Sequence, residues 1–102
     1  MWPFVAALLF LQGPDFSSDG LKALEAGKYD AAVQAFQKAI EADPKDYFAH
    51  FNLALLCERT GDALKAVHHW KAYLKLDSAG QWADVARRQL DRLRQMTLIH
   101  SR

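Results

Sequence analysis

The side chains that could bind a metal ion or act as a nucleophile lie in the middle of the chain. They are His50, His68, His69 and Cys57. Successive residues of a helix point about 100° apart, so the adjacent His68 and His69 cannot both face one metal ion without strain. His50 could approach His69 across a pair of helices, but only Cys57 is available to extend the ligand set. We therefore expect packed or solvated imidazoles, and we predict no metal site and no cofactor.

Cys57 is the single cysteine of the chain, which excludes an intrachain disulfide. It lies in an apolar run, where a small buried thiol is the ordinary interpretation. Cys57 and His50 lack a third group that would orient the imidazole, and no Ser/His/Asp set is evident. The sequence also has no glycine-rich phosphate loop. We predict that the protein is not an enzyme, and a metal-dependent or thiol enzyme is the alternative.

The charge balance argues against a nucleic-acid partner. The 102 residues include 13 Lys and Arg and 12 Asp and Glu, which gives a net charge of +1. Arginines are concentrated towards the C-terminus, but no aromatic residues are interleaved with them on one face. These arginines are Arg87, Arg88, Arg92, Arg94 and Arg102. A solvated helix face explains them, and a chain of this length forms one domain at most.

Residues 1–12 form a nearly unbroken apolar run. The run is shorter than the roughly 20 residues of a transmembrane helix, and its length suits the apolar core of a secretory signal. It lacks a preceding Lys or Arg and a small-x-small cleavage pattern, so two interpretations stay open. A signal or anchor would make the protein exported or membrane-associated, with membrane contact through this segment alone. An arm packed on the domain or on a partner would leave the protein cytoplasmic and could mediate self-association.

The chain repeats itself at an interval of 34 residues. Gly27 corresponds to Gly61 (61 − 27 = 34), and further pairs keep the same interval. These pairs are Ala32 and Ala66, Val33 and Val67, Phe36 and Trp70, Ile40 and Leu74, and Asp43 and Asp77. Self-similarity at a fixed period of this size is typical of an array of helical repeats.

Apolar residues at helical spacing, separated by glycine and proline, predict an all-α chain. The predicted helices run from about Phe16 to Ala26, Tyr29 to Ala42, Asp46 to Thr60, Ala63 to Leu76 and Gln81 to Met96. They form two units over about 13–46 and 47–80, a cap over 81–96 and a frayed tail over 97–102. The third helix is apolar on more than one side, so it is either buried or faces a groove that something else covers.

Both units resemble tetratricopeptide repeats, whose pattern is W-x2-L-G-x2-Y, then A-x3-F, an alanine and a closing proline. The matching residues are Ala32-x3-Phe36, Ala39 and Pro44 in the first unit and Ala66-x3-Trp70 in the second. The chain departs from the pattern where Asp19 replaces leucine, His50 replaces tryptophan and Ser78 replaces proline. The resemblance implies a short right-handed α-solenoid of antiparallel helix pairs with a capping helix.

The resemblance also implies a site, because the first helix of each pair lines a concave groove in this family. The corresponding residues are Leu21, Glu25, Phe48, Asn52, Leu55, Arg59, Trp82 and Gln89. We expect a non-catalytic module that binds a peptide or a partner helix in this groove. The alternative is a structural or assembly subunit whose N-terminal arm covers the groove, self-associates or attaches to a membrane.

One subtype of the family clamps a C-terminal carboxylate, and this chain resembles that subtype at Asn52 alone. Ser17, Leu21, Trp82 and Ala86 stand where the subtype has basic and amide residues. We therefore do not expect a carboxylate clamp.

Overall fold

The computed structural model describes residues 15–100, with side chains up to Met96. The predicted arm of residues 1–12 and the last two residues lie outside the described part. The described part contains five helices and no strand: α1 (Phe16–Glu25), α2 (Tyr29–Ala42), α3 (Tyr47–Thr60), α4 (Ala63–Leu76) and α5 (Gln81–His100). None of these helices is long and apolar enough to cross a membrane.

The predicted helices agree with the structure to within one residue at each end, except at the end of α5. This helix continues to His100, although the sequence analysis placed its end at Met96 and a frayed tail from residue 97. The difference has a simple cause, since no glycine or proline follows Gly80. Without such a residue the sequence contains no strong stop signal for the helix.

Aspartate side chains start three of the helices. Asp15 accepts a hydrogen bond from the Ser18 amide at 3.0 Å at the start of α1, and Asp46 accepts one from the Ala49 amide at 3.0 Å at the start of α3. Asp62 does the same for α4. The first amides of a helix have no partner within the helix, so these carboxylates accept hydrogen bonds from them. Their negative charge also interacts favourably with the positive end of the helix dipole.

The turns between the helices repeat their backbone conformation at the interval seen in the sequence. Gly27 and Gly61 both adopt a left-handed conformation, with φ of 75° and 84°. Asp43 and Asp77 end α2 and α4 in nearly the same extended conformation, with φ of −146° and −144°. The 34-residue period is therefore a structural repeat as well as a sequence repeat.

Packing occurs mainly between helices that follow one another in the chain. Short turns fold α1 against α2 and α3 against α4, which makes two helical hairpins, and α5 packs on the second. Phe36 fills the space between the first hairpin and α3, and Trp70 fills the space between the second hairpin and α5. Both side chains are completely buried. This arrangement confirms the predicted all-α solenoid of helix pairs with a cap.

Gly20 lets α1 approach α2, because a Cβ atom at this position would lie 2.7–2.8 Å from three atoms of the Phe36 ring. We expect Gly20→Ala to lower the free energy of unfolding by about 1–2 kcal/mol, since overpacking costs about 1–3 kcal/mol and the gain in helix propensity returns part of it. Urea unfolding measures this change, with Lys22→Ala on an exposed face of α1 as the control. A Gly20→Ala protein as stable as the wild type would show that the ring moves aside without cost.

Candidate functional site

An open groove of about 500 Å³ lies along α3. Its described lining consists of Tyr47, Phe48, Phe51, Asn52, Leu55, Tyr73 and Trp82. Four of the eight residues predicted from the sequence are in this set: Phe48, Asn52, Leu55 and Trp82. The structure thus gathers half of the predicted site into one continuous surface.

Helical spacing places the predicted residues of α3 in one row. Phe48, Asn52 and Leu55 follow one another at intervals of four and three residues, so they share a face. Phe48 and Leu55 are 42% and 39% exposed, and Trp82 at the start of α5 is 55% exposed. Tyr47 also lines the groove and is 52% exposed, so four large hydrophobic side chains border the groove and remain in contact with solvent.

Aromatic rings form the floor of the groove, with Phe51 at their centre. The centroid of its ring lies 5.0 Å from that of Trp70, 5.2 Å from that of Tyr73 and 5.4 Å from that of Trp82. All three pairs meet edge to face, the arrangement that aromatic quadrupoles favour. This floor joins α3, α4 and α5, so the shape of the groove depends on how these three helices pack.

The sequence prediction missed Tyr47, Phe51 and Tyr73. Tyr47 and Phe51 precede Phe48 and Asn52 by one residue each, so they widen the row on α3. The sequence did contain a signal for Tyr47 and Phe51, because α3 is apolar on more than one side. Tyr73 belongs to α4, the second helix of its pair, so position in the repeat does not select it. Its ring is buried, and its hydroxyl donates to Asp77 Oδ2 at 2.6 Å. Burial raises the pKa of the Tyr73 hydroxyl, which therefore stays neutral.

Asn52 is the polar group of the groove, but it is already partly engaged. Its Nδ2 donates to the Phe48 carbonyl oxygen at 2.8 Å, one turn earlier in α3. The side chain is also largely buried. An amide group has a second N–H and a carbonyl oxygen, so Asn52 keeps some capacity to bond a ligand.

The other four predicted residues do not line this groove. The Arg59 guanidinium lies over the Tyr29 ring, 4.3 Å from its centroid. Gln89 Oε1 accepts a hydrogen bond from Arg92 Nε at 3.1 Å. Leu21 and Glu25 are exposed on α1 and belong to neither this lining nor the core. The groove along α3 thus includes the predicted residues Phe48, Asn52, Leu55 and Trp82 but not those of α1, the end of α3 or the middle of α5.

The described lining of the groove contains no Lys, Arg, Asp or Glu. Glu58 of α3 forms an ion pair with Arg92 of α5. Glu58 also accepts a hydrogen bond from Trp70 Nε1 at 2.7 Å. This carboxylate links α3, α4 and α5, while the groove itself offers an uncharged, aromatic surface.

The structure brings His50 and His69 together, as the sequence analysis suggested. Their Nδ1 atoms lie 3.1 Å apart, and His50 Nε2 lies 3.3 Å from the Pro44 carbonyl oxygen. Burial lowers the pKa of both imidazoles, that of His69 to about 4. Within the described residues, no cluster of three or more His, Cys, Asp or Glu side chains is arranged to hold a metal ion.

Cys57 is buried among the residues of the second hairpin, and burial raises the pKa of its thiol. The thiolate is the reactive form of cysteine, so this environment disfavours nucleophilic attack. Asp62 and Lys65 act on the pKa of the thiol in opposite directions, and burial remains the largest cause of the shift. The observed position agrees with the interpretation of Cys57 as a small apolar residue.

Comparisons with known proteins identify a family and a relative. The tetratricopeptide repeat family model matches residues 20–81. The chain is also similar to Rhomboid protease GluP of Bacillus subtilis (strain 168), with 43% identity over 47 residues. This similarity covers 41% of the chain and 9% of that protein, so the chain spans a small part of the length of this relative.

Proposed function

The chain belongs to the tetratricopeptide repeat family, and we propose that it binds a segment of a partner protein in the groove along α3. Repeats of this family generally mediate protein–protein interactions and are typically non-catalytic. The segment could be a helix or an extended peptide. The size and shape of the groove and the chemistry of its lining support the proposal.

The exposure of Phe48, Leu55 and Trp82 on one surface is the observation that supports this function most strongly. Each of these side chains would lose contact with water if an apolar group covered it, which is worth about 25 cal/mol for each Å² buried. Large contiguous apolar patches are uncommon on proteins that act alone, and they often mark interaction sites. A partner that covers this surface therefore gains affinity from burial alone.

The lining also defines the chemistry of the segment. An uncharged aromatic groove favours aliphatic or aromatic side chains and disfavours a buried charge without a partner. Nothing in the described lining would neutralise a C-terminal carboxylate, which agrees with the absence of the clamp residues from the sequence. We propose an internal apolar segment, with one large side chain resting on Phe51 between Phe48 and Trp82.

A catalytic role is not part of the proposal. The similar segment of the Bacillus relative makes up 9% of that protein, and the word protease in its name describes the whole protein. The one thiol here, Cys57, is buried with a raised pKa. We propose that this chain is a binding unit without catalysis.

Selection from a phage library of random 12-residue peptides tests this function with a defined probe. We expect the full chain to enrich peptides with apolar and aromatic residues at regular spacing. Leu55→Lys, which places a charge in the groove, should not retain these phage. The matched control is Leu64→Lys, because Leu64 is exposed on α4 away from the groove.

Two results would contradict the proposal. One is peptides that bind the Leu55→Lys protein as well as the wild type, which would move the site elsewhere. The other is a dimer of the full chain, measured by analytical ultracentrifugation, that Leu55→Lys dissociates. That result would assign the groove to a second copy of the chain. Ultracentrifugation of a protein that lacks residues 1–12 would then show whether the apolar arm mediates the contact.

A further inference from the structure

The His50–His69 pair connects three parts of the fold through hydrogen bonds. His50 lies on α3, His69 on α4, and Pro44 in the turn that precedes α3. A carbonyl oxygen accepts hydrogen bonds and cannot donate them, so His50 Nε2 must carry the proton that faces Pro44. His50 Nδ1 is then an acceptor, and the proton between the two rings belongs to His69 Nδ1.

This chain of hydrogen bonds holds when both imidazoles are neutral and tolerates one added proton, but not two. A proton added to His69 at Nε2 would leave its Nδ1–H bonded to His50. A proton added to His50 at Nδ1 would face the N–H of His69 at a nitrogen–nitrogen distance of 3.1 Å. The contact would survive only if His69 moved its own proton to Nε2. A second proton would leave two donors and two positive charges facing each other, and no tautomer removes that conflict.

We propose that the His50–His69 pair is an acid-sensitive link, which holds α3 against α4 when both rings are neutral and is broken when both rings take up protons. The proposal concerns the folded chain by itself and does not depend on the proposed partner. The histidine pair would regulate the groove, because the two helices that it joins also form the groove.

The charged and titratable groups around the pair reinforce this behaviour. His68 and Lys65 approach from α4 and disfavour positive charge on His69, and His68 has the same effect on His50. Asp46 at the start of α3 favours a charged His50, but burial outweighs it. Burial is also the largest cause of the lowered pKa of His69, which is about 4 against a usual value near 6.5.

Because the pKa values of both histidines are lowered in the folded chain, acid destabilises the folded state. In the unfolded chain both histidines take up protons as the pH falls through about 6.5, whereas the folded chain resists protonation until a lower pH. The folded state therefore loses stability below pH 6.5 and continues to lose it down to about pH 4, where His69 titrates. At neutral pH and above, this contribution to stability is complete.

The groove should respond to the same change. Tyr47 and Phe51 flank His50 on α3, and Tyr73 follows His69 by one turn on α4. The ring of Tyr73 lies 6.2 Å from that of Tyr47 and 5.2 Å from that of Phe51, measured between centroids. A separation of α3 from α4 at the histidine pair would therefore alter the contacts that form the floor of the groove.

Urea unfolding of the full chain between pH 7 and pH 5 tests the proposal. We expect the folding equilibrium constant to fall by about twentyfold from His69 alone, given a folded pKa of about 4. His69→Gln should remove much of this loss. The double variant His50→Gln/His69→Gln should remove more of it. His68→Gln is the matched control, because it removes a neighbouring exposed histidine that only reinforces the effect. Burial is the main cause of both shifts, so most of the pH dependence should remain in this variant.

Nitrogen-15 NMR of the wild-type imidazoles provides a second test that does not require a variant to fold. At pH 7 we expect the proton of His50 on Nε2 and that of His69 on Nδ1. His69 should titrate near pH 4, and His50 should titrate below the usual pKa of histidine. Rings that titrate near pH 6.5, or a His69→Gln protein with the same pH dependence as the wild type, would overturn the proposal.

Discussion

Trp70→Ala is expected to lower the free energy of unfolding by about 3–5 kcal/mol, the range typical of removing a large buried aromatic ring. Trp70 is completely buried, and its ring packs against Phe51 in the floor of the groove. Its indole N–H also donates to Glu58 at 2.7 Å. Removal of the ring would leave a cavity between the second hairpin and α5, and it would leave the Glu58 carboxylate with one bond fewer.

Urea unfolding at neutral pH measures the effect, with two comparison variants. Trp70→Phe keeps most of the apolar volume and loses the hydrogen bond to Glu58, so we expect a smaller loss of stability. Leu64→Ala removes a side chain that is 77% exposed on the same helix, and its effect should stay within about 0.5 kcal/mol. If Trp70→Ala were as mild as Leu64→Ala, Trp70 would not be a centre of the core.

The sequence contained enough information to predict the fold. The fixed interval between Gly27 and Gly61 located both hairpin turns, because glycine tolerates the left-handed backbone at a helix end. The same interval related Phe36 to Trp70, and both proved to be fully buried. These signals are local and periodic, so they do not require knowledge of contacts between distant residues.

The site was only partly predictable, since its membership depends on how helices lie against each other. Repeat position identified Phe48 and Leu55 correctly as groove residues. It could not show that Arg59 would stack on Tyr29, because that contact joins residues 30 positions apart (59 − 29 = 30). Phe51 was missed for a related reason, as its role comes from rings that α4 and α5 supply.

The histidines likewise separate what the sequence can predict from what requires coordinates. Helical geometry showed that His68 and His69 point apart and that His50 could meet His69 across the hairpin. The 3.1 Å separation and the role of the Pro44 carbonyl required coordinates. A sequence can thus nominate a pair of residues, whereas the protonation states follow only from the atoms that each ring faces.

Trp82→Ala is expected to weaken the binding of selected peptides by about 30-fold or more. Trp82 is the most exposed of the four large hydrophobic side chains that border the groove, and its ring lies against Phe51. Loss of an aromatic anchor at the centre of an interface typically costs 2 kcal/mol or more, which corresponds to about that factor. Isothermal titration calorimetry with a selected peptide measures the change in Kd.

Met96→Ala is the control for this variant, because Met96 is an exposed apolar residue of the same helix that lies outside the described groove lining. We expect its Kd to equal that of the wild type. Urea unfolding should show that Trp82→Ala remains folded, since the side chain is more than half exposed. Equal losses of affinity in both variants would point to a general effect on α5 and would contradict a specific contact at Trp82.

The most direct test of groove binding is the indole N–H signal of Trp82 in a ¹H–¹⁵N NMR titration of the full chain with a selected peptide. We predict that this signal and the backbone amides of Phe48, Phe51 and Leu55 shift together and saturate at one peptide per chain. The signals of the solvent-facing arginines of α5 should stay in place. Saturable shifts confined to those arginines, with Trp82 unchanged, would contradict the assignment of the groove as the binding site.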